Sequence, residues 1–272
     1  MAVENRLKTK LAAGELATSM IVRLSCGAEI AHIALSAGYD ALYVDLEHSP
    51  LTLTAAGHIS MSAAALGVTP LVRVPGLDAA MIARALDAGA LGVIVPGVGN
   101  AAEARQAVES ALFPPAGRRS ITTSLPQLHF RPAGAAELED VNAATLVGVM
   151  IETAGALENA EAIAAVPGID LLHVGLHDLA ASLGYRDRPP DEAVMEALAP
   201  VIAAARRHGK HVGIGGAGTA GPLLAALIDA GARYVSAGTD LSFLLAAAGE
   251  RCAAVRRLFD GGIRPEDHNA RQ

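Results

Sequence analysis

Ala88-Gly89-Ala90-Leu91-Gly92-Val93-Ile94-Val95-Pro96 carries a helix ending and a strand beginning within one short stretch. The Ala-rich residues 78–89 have helical character, and Gly89 supplies the left-handed conformation that closes a helix. The run that follows has no polar face, as expected of a strand buried on both sides of a parallel sheet. The same punctuation recurs at Ala37-Gly38-Tyr39-Asp40 and at Ala230-Gly231-Ala232. Outward from these points, apolar runs predict eight strands, at 20–24, 41–46, 70–74, 92–96, 145–151, 171–175, 211–214 and 234–237. Helices are expected near 28–37, 52–66, 78–89, 101–112, 155–165, 191–208, 220–230 and 241–259, with an extra amphipathic helix over 3–13. Strand and helix alternating eight times predicts an α/β fold: a single (β/α)₈ TIM barrel with an extra N-terminal helix, one domain over 1–272. A doubly wound open sheet has the same alternation and is the alternative. The longest irregular stretch, 113–144, is expected to be a functional loop.

Composition narrows the function. At 272 residues the chain has the length of one such barrel. With 52% hydrophobic and 18% charged residues it can bury a large core. A net charge of −7 gives no electrostatic reason to bind nucleic acid or an anionic membrane. No apolar stretch has the length of a membrane span. Cys26 and Cys252 form no metal-ligand or disulfide pattern, and the mixed-charge N-terminus lacks a signal peptide's apolar core, so a cytoplasmic location is expected.

A barrel places its active site at the carboxyl ends of its strands, so the polar residues there carry the functional argument. The second strand ends in Asp45-Leu46-Glu47-His48, with Asp45 and Glu47 on one face. Ionisable groups closing an apolar strand fit either an active site or a salt-bridged rim. Arg73 sits at the end of the third strand and must meet an anion, either a substrate or a neighbouring carboxylate such as Glu47. Glu152 follows the fifth strand and Asp178 the sixth. Neighbouring strands bring such side chains together, and two carboxylates that close call for a proton or a cation. Their hard oxygens suit Mg²⁺ or Mn²⁺, or Co²⁺, unless Asp178 serves to cap the next helix. The glycines at 213–218 and the segment Ser236-Ala237-Gly238-Thr239-Asp240 fit a phosphate site, room for substrate, or helix capping.

Asp45-Leu46-Glu47-His48, Pro70-Leu71-Val72-Arg73-Val74-Pro75, Arg84 through Pro96, Ile151-Glu152-Thr153, Val166 through Asp170 and Gly175 through Gly184 together resemble the HpcH/HpaI aldolase/citrate lyase family. The likeness is to its metal-dependent (class II) pyruvate aldolases, such as 4-hydroxy-2-oxoheptanedioate and 2-dehydro-3-deoxyglucarate aldolases, and it runs in order along nearly the whole chain. The resemblance implies an aldehyde-lyase that makes or cleaves 4-hydroxy-2-oxo acids from an aldehyde and pyruvate or a close relative. It implies Glu152 and Asp178 as metal ligands, His48 as base, Arg73 as the cation facing the enolate oxygen, Asp87 as an acid paired with the histidine, and Asp45 as a further site residue. Gly175, Leu176, His177 and Gly215 are expected, with Arg73, to line the substrate pocket. A homo-oligomer is also implied, a hexamer or trimer of dimers with C-terminal helices packed across subunits. The chain departs from the family pattern at Met150, where Gln is usual, at Leu176-His177, at Arg119, and at Gly215 and Gly216. A citrate-lyase-like or acyl-CoA lyase or synthase, and a non-catalytic barrel, are the alternatives.

Overall fold

A computed structural model describes residues 3–122, 124–218 and 221–261. In chain order its elements are α1 (Arg6–Ala12), β1 (Ala17–Val22), α2 (Glu29–Ser36), β2 (Ala41–Asp45), α3 (Leu53–Ala65), β3 (Thr69–Arg73), α4 (Ala79–Asp87), β4 (Gly92–Val95) and α5 (Ala101–Ala111). A 3-10 turn (Pro126–Leu128) leads to α6 (Ala135–Ala144), β5 (Leu146–Ile151), α7 (Ala154–Glu158) and α8 (Ala160–Ala164). Then come β6 (Leu171–Gly175), α9 (Leu176–Ser182), α10 (Asp191–Arg207), β7 (His211–Gly215), α11 (Pro222–Ala230), β8 (Tyr234–Thr239) and α12 (Asp240–Gly261). All eight strands pair in parallel with their sequence neighbours, and β8 closes on β1. The closed barrel is therefore the fold, and the open sheet is not.

Two apolar layers hold it together. One lies between the strands and the surrounding helices. The other fills the barrel, with Tyr43, Leu71, Ile94, Leu146, Leu171 and Tyr234 among its members. Helix α1 plugs the amino-terminal end of the barrel. Its Leu7 and Leu11 are buried against that interior. Asn5 anchors the plug, donating from Nδ2 to the carbonyls of Leu91 (3.0 Å) and Ala144 (2.7 Å), just before β4 and β5. With one end plugged, the carboxyl ends of the strands form the open mouth.

The structure moves several expected boundaries. β1 starts at Ala17, because Thr18 and Ser19 pair in the ladder although they are polar. It stops at Val22, because the N–H groups of Arg23, Leu24 and Ser25 turn to the Asp240 carboxylate at the start of α12. The expected helix over 155–165 is two short helices that meet at Asn159. The stretch 113–144 is less irregular than expected: it contains the 3-10 turn and α6, whose Glu137 accepts from the Gly134 N–H. A short helix, α9, follows β6 directly, with no loop between. The ends of the expected 1–272 domain, residues 1–2 and 262–272, lie outside the described residues, as does the first residue of the helix expected over 220–230.

Candidate active site

Asp45 ends β2 and is fully buried at the mouth. It accepts hydrogen bonds from Arg73 Nε (2.8 Å) and Nη2, from Arg23 Nε (2.6 Å), and from the backbone N–H groups of Glu47 (3.0 Å) and His48 (3.2 Å). Burial pushes its pKa up, but Arg73, the His48 amide and Arg23 outweigh burial, so the carboxyl is held below its ordinary range. The two backbone bonds turn the chain so that Glu47 and His48 leave the strand on the mouth side. Arg73 ends β3 and is raised above its ordinary value, because Asp45 outweighs the opposing effect of burial. Its Nη1 lies 2.7 Å from the Glu47 carboxylate, so the pairing with Glu47 anticipated from the sequence is present, with Asp45 added to it. His48 is half exposed, its Nε2 3.6 Å from Glu47.

Glu152 leaves the end of β5 half-buried. Its Oε1 accepts from the Gly97 N–H at 2.7 Å, just past β4. Its pKa is raised, first by burial; the Gly97 bond opposes this, and the charges of Glu47 and Asp178 add to the rise. Asp178 is exposed in the first turn of α9. It does not cap that helix: the N-cap is Gly175, without a side-chain bond. Gly175 lets its neighbours approach closely, since a Cβ there would lie 3.0 Å from Met150 Cε and 3.3 Å from Glu152 Oε2. Met150, in place of the usual Gln, offers its sulfur to Tyr43 Oη and Arg73 Nη1, each at 3.9 Å.

The remaining expected residues are placed as follows. His177 is exposed, and its ring fills the space over Gly216, where a Cβ would lie 2.7 Å from Nδ1. Gly215 makes room for His173 in the same way, its Cβ position 3.0 Å from Nε2. Leu176 packs into the apolar layer between strands and helices. Asp87 is not brought to the mouth within this chain. It ends α4, so it lies at the amino-terminal rim, where its carboxylate accepts from the buried Arg119 at 2.6 Å. Arg119, in the stretch expected to be a functional loop, stacks on Phe113 with Cζ 4.3 Å from the ring centroid. Arg23, the Gly97 amide and the Asp240 clamp went unread in the sequence. Arg23 was hidden inside an expected strand, and a backbone amide leaves no side-chain signal.

The mouth thus gathers Asp45, Glu47, Glu152 and Asp178 against the guanidiniums of Arg23 and Arg73. Two carboxylate charges are left over, with hard oxygens. Among the described residues no three His, Cys, Asp or Glu side chains form a ready-made metal cage. The chemistry is that of an open two-carboxylate corner beside a cation and an accessible imidazole.

The HpcH/HpaI aldolase/citrate lyase family profile matches residues 19–247. The chain belongs to this family. A 4-hydroxy-4-methyl-2-oxoglutarate aldolase from Chaetomium globosum is 42% identical over 219 residues, covering 79% of this chain and 81% of that relative. A hydroxypyruvate/pyruvate aldolase from Cupriavidus necator is 32% identical over 257 residues, 94% of each chain. Among solved structures, an HpcH/HpaI aldolase from Desulfitobacterium hafniense superposes with a TM-score of 0.85 at 31% identity, covering 93% of this chain and 97% of its own. This HpcH/HpaI protein is accordingly an enzyme, a carbon–carbon lyase of the aldolase type. No helix among its described residues is long and apolar enough to cross a membrane.

Glu152 generates a direct prediction. Its folded pKa lies above the unfolded value, so it favours folding when protonated and opposes it as pH rises through the folded pKa. Glu152→Gln should therefore stabilise the metal-free protein at pH 7, by on the order of 1 kcal/mol. The gain should vanish near pH 4, and urea unfolding at both pH values measures it.

Proposed function

We propose that this protein forms and cleaves 4-hydroxy-2-oxo acids, using pyruvate or a close relative and an aldehyde or ketone partner, at a divalent cation held by Glu152 and Asp178. The reading is supported by the position of Glu152 after β5 and of Asp178 after the neighbouring β6, close enough that the Asp178 charge adds to burial in raising the Glu152 pKa. A cation in that corner, Mg²⁺, Mn²⁺ or Co²⁺, would supply Lewis acidity to the keto and carboxylate oxygens of the 2-oxo acid. The protein's own groups do the rest. His48, half exposed at the rim, takes a proton from the carbon next to the keto group, directly or through water. Arg73, fixed by Asp45, stands opposite the oxygen on which negative charge develops. Glu47 and Asp45 orient His48 and Arg73. Gly175 lets Met150 and Glu152 close in beside β6, and His177 stands at the rim where the second substrate enters. Asp87 takes no part within one protomer, because it lies at the opposite rim.

No Schiff base enters this scheme, as none of the strand ends carries a lysine. The names of the relatives support 2-oxo acids with a branched or carboxylated partner, so 4-hydroxy-4-methyl-2-oxoglutarate is the substrate of choice for assay. The whole chain, 1–272, is taken to act as one unit. The free, exposed Cys26 and Cys252 suit the reducing cytoplasm.

Self-association is part of the proposal. Helix α12 exposes Leu244, Leu245, Val255 and Leu258 at 59%, 70%, 67% and 75%, an apolar face that a second copy of the chain would cover. A hexamer or trimer of dimers is expected by sedimentation, and Leu245→Glu with Leu258→Glu should dissociate it; a monomeric native protein would refute the assembly.

The catalytic reading is tested by pyruvate release from 4-hydroxy-4-methyl-2-oxoglutarate. Turnover should need added Mg²⁺, Mn²⁺ or Co²⁺ and disappear with EDTA. His48→Asn should lower kcat by roughly 10²–10⁴-fold. Turnover unaffected by EDTA would overturn the metal assignment.

A further inference from the structure

The barrel holds a histidine that the chemistry above does not use. His173 sits in the middle of β6 and points into the barrel, 2% exposed. Its ring meets two tyrosines edge-on: Tyr43 with centroids 5.7 Å apart at 85°, and Tyr234 at 5.6 Å and 69°. Two glycines clear the space for it. A Cβ on Gly213 would lie 2.6 Å from Nδ1, and one on Gly215 3.0 Å from Nε2. Among the described residues Nδ1 has no hydrogen-bond partner, so packing rather than polar bonding holds the ring. Burial, aided by the charge of Arg73, lowers the imidazole pKa to about 3, so the group is neutral under working conditions.

What the ring touches leads to the mouth. Tyr43 is fully buried; its face lies under the Arg73 guanidinium, with Cζ 5.6 Å from the centroid. Among the described residues its hydroxyl reaches only the Met150 sulfur. Asp45 grips Arg73 through Nε and Nη2, which leaves Nη1, the corner that faces Glu47 and Met150, steadied from below by the Tyr43 ring. The Tyr43 ring is thus in contact with the Arg73 guanidinium on one hand and with the His173 ring on the other.

We propose that His173 is a positioning residue for Arg73, its ring packing on Tyr43 and so holding that ring at the guanidinium and fixing Nη1 at the mouth. The catalytic consequence rests on the role proposed for Arg73; the geometric claim does not. A neutral aromatic edge is what the position requires, so phenylalanine should serve and an aliphatic side chain should not.

His173→Phe, His173→Leu and His173→Met test this, each by steady-state retro-aldol kinetics with Mn²⁺ and by crystal structure. His173→Leu should lose roughly tenfold or more in kcat with KM within about twofold, since a misplaced group costs most in the transition state. His173→Phe should stay within about threefold of the native enzyme, and should not be less stable, because the orphaned Nδ1 is gone. In the His173→Leu crystal, Tyr43 should tilt and Arg73 Nη1 should leave Glu47. If His173→Leu does not fold, His173→Met, which keeps volume but not the ring, takes its place. Native kcat in the aliphatic variants, equal loss in His173→Phe, or an unmoved Arg73 overturns the proposal. Should the native enzyme show no turnover, that failure belongs to the substrate assignment, and the position of Arg73 in the crystals still decides the role of His173.

Discussion

A fully buried carboxylate, Asp45, clamped between Arg73 and Arg23, is the interaction on which the mouth depends. Removing one partner of such a pair typically costs about 3–5 kcal/mol, because the other charge is left buried and unmatched. The clamp joins the ends of β1, β2 and β3, and its two backbone bonds set Glu47 and His48 beyond β2. It also consumes the available positive charge. Glu152 and Asp178, one strand pair further round, are left with each other and with Glu47. An excess of acid that structure alone does not relieve is what makes a cation the natural occupant, and it is the kind of local destabilisation that active sites retain.

The fold was legible because a doubly buried strand has a simple signature. The run at 92–96 is apolar throughout, those at 41–46 and 171–175 are apolar but for Asp45 and His173, and glycine marks the helix ends before them. β1 was misplaced because Thr18 and Ser19 are polar yet inward or ladder-bound, and polarity was the only signal. The helix α6 was missed because Glu139, Asp140 and Asn142 look like loop when nothing shows that Leu138 and Val141 face a core.

The site was legible one residue at a time, wherever an ionisable side chain ended an apolar strand. Asp45, Arg73 and Glu152 each stand out in that way. Their partnerships were not legible. The bidentate grip of Arg73 on Asp45 depends on register across β2 and β3, where the two residues face each other directly. The Gly97 amide on Glu152 depends on backbone direction. Asp87 carries the family motif, and within one chain it lies at the far rim beside Arg119. The glycines at 213, 215 and 216, which in the sequence fit a phosphate site, room for substrate or helix capping, give space to the rings of His173 and His177.

The central claim is that Glu152 and Asp178 share a divalent cation. Titration of the metal-free protein with Mn²⁺, followed by the loss of the free-ion paramagnetic resonance signal, tests it most directly. The account predicts roughly one ion bound per chain, tighter when pyruvate is present, and lost in both Glu152→Gln and Asp178→Asn. Absence of binding in the native protein, or undiminished binding in either variant, would contradict it.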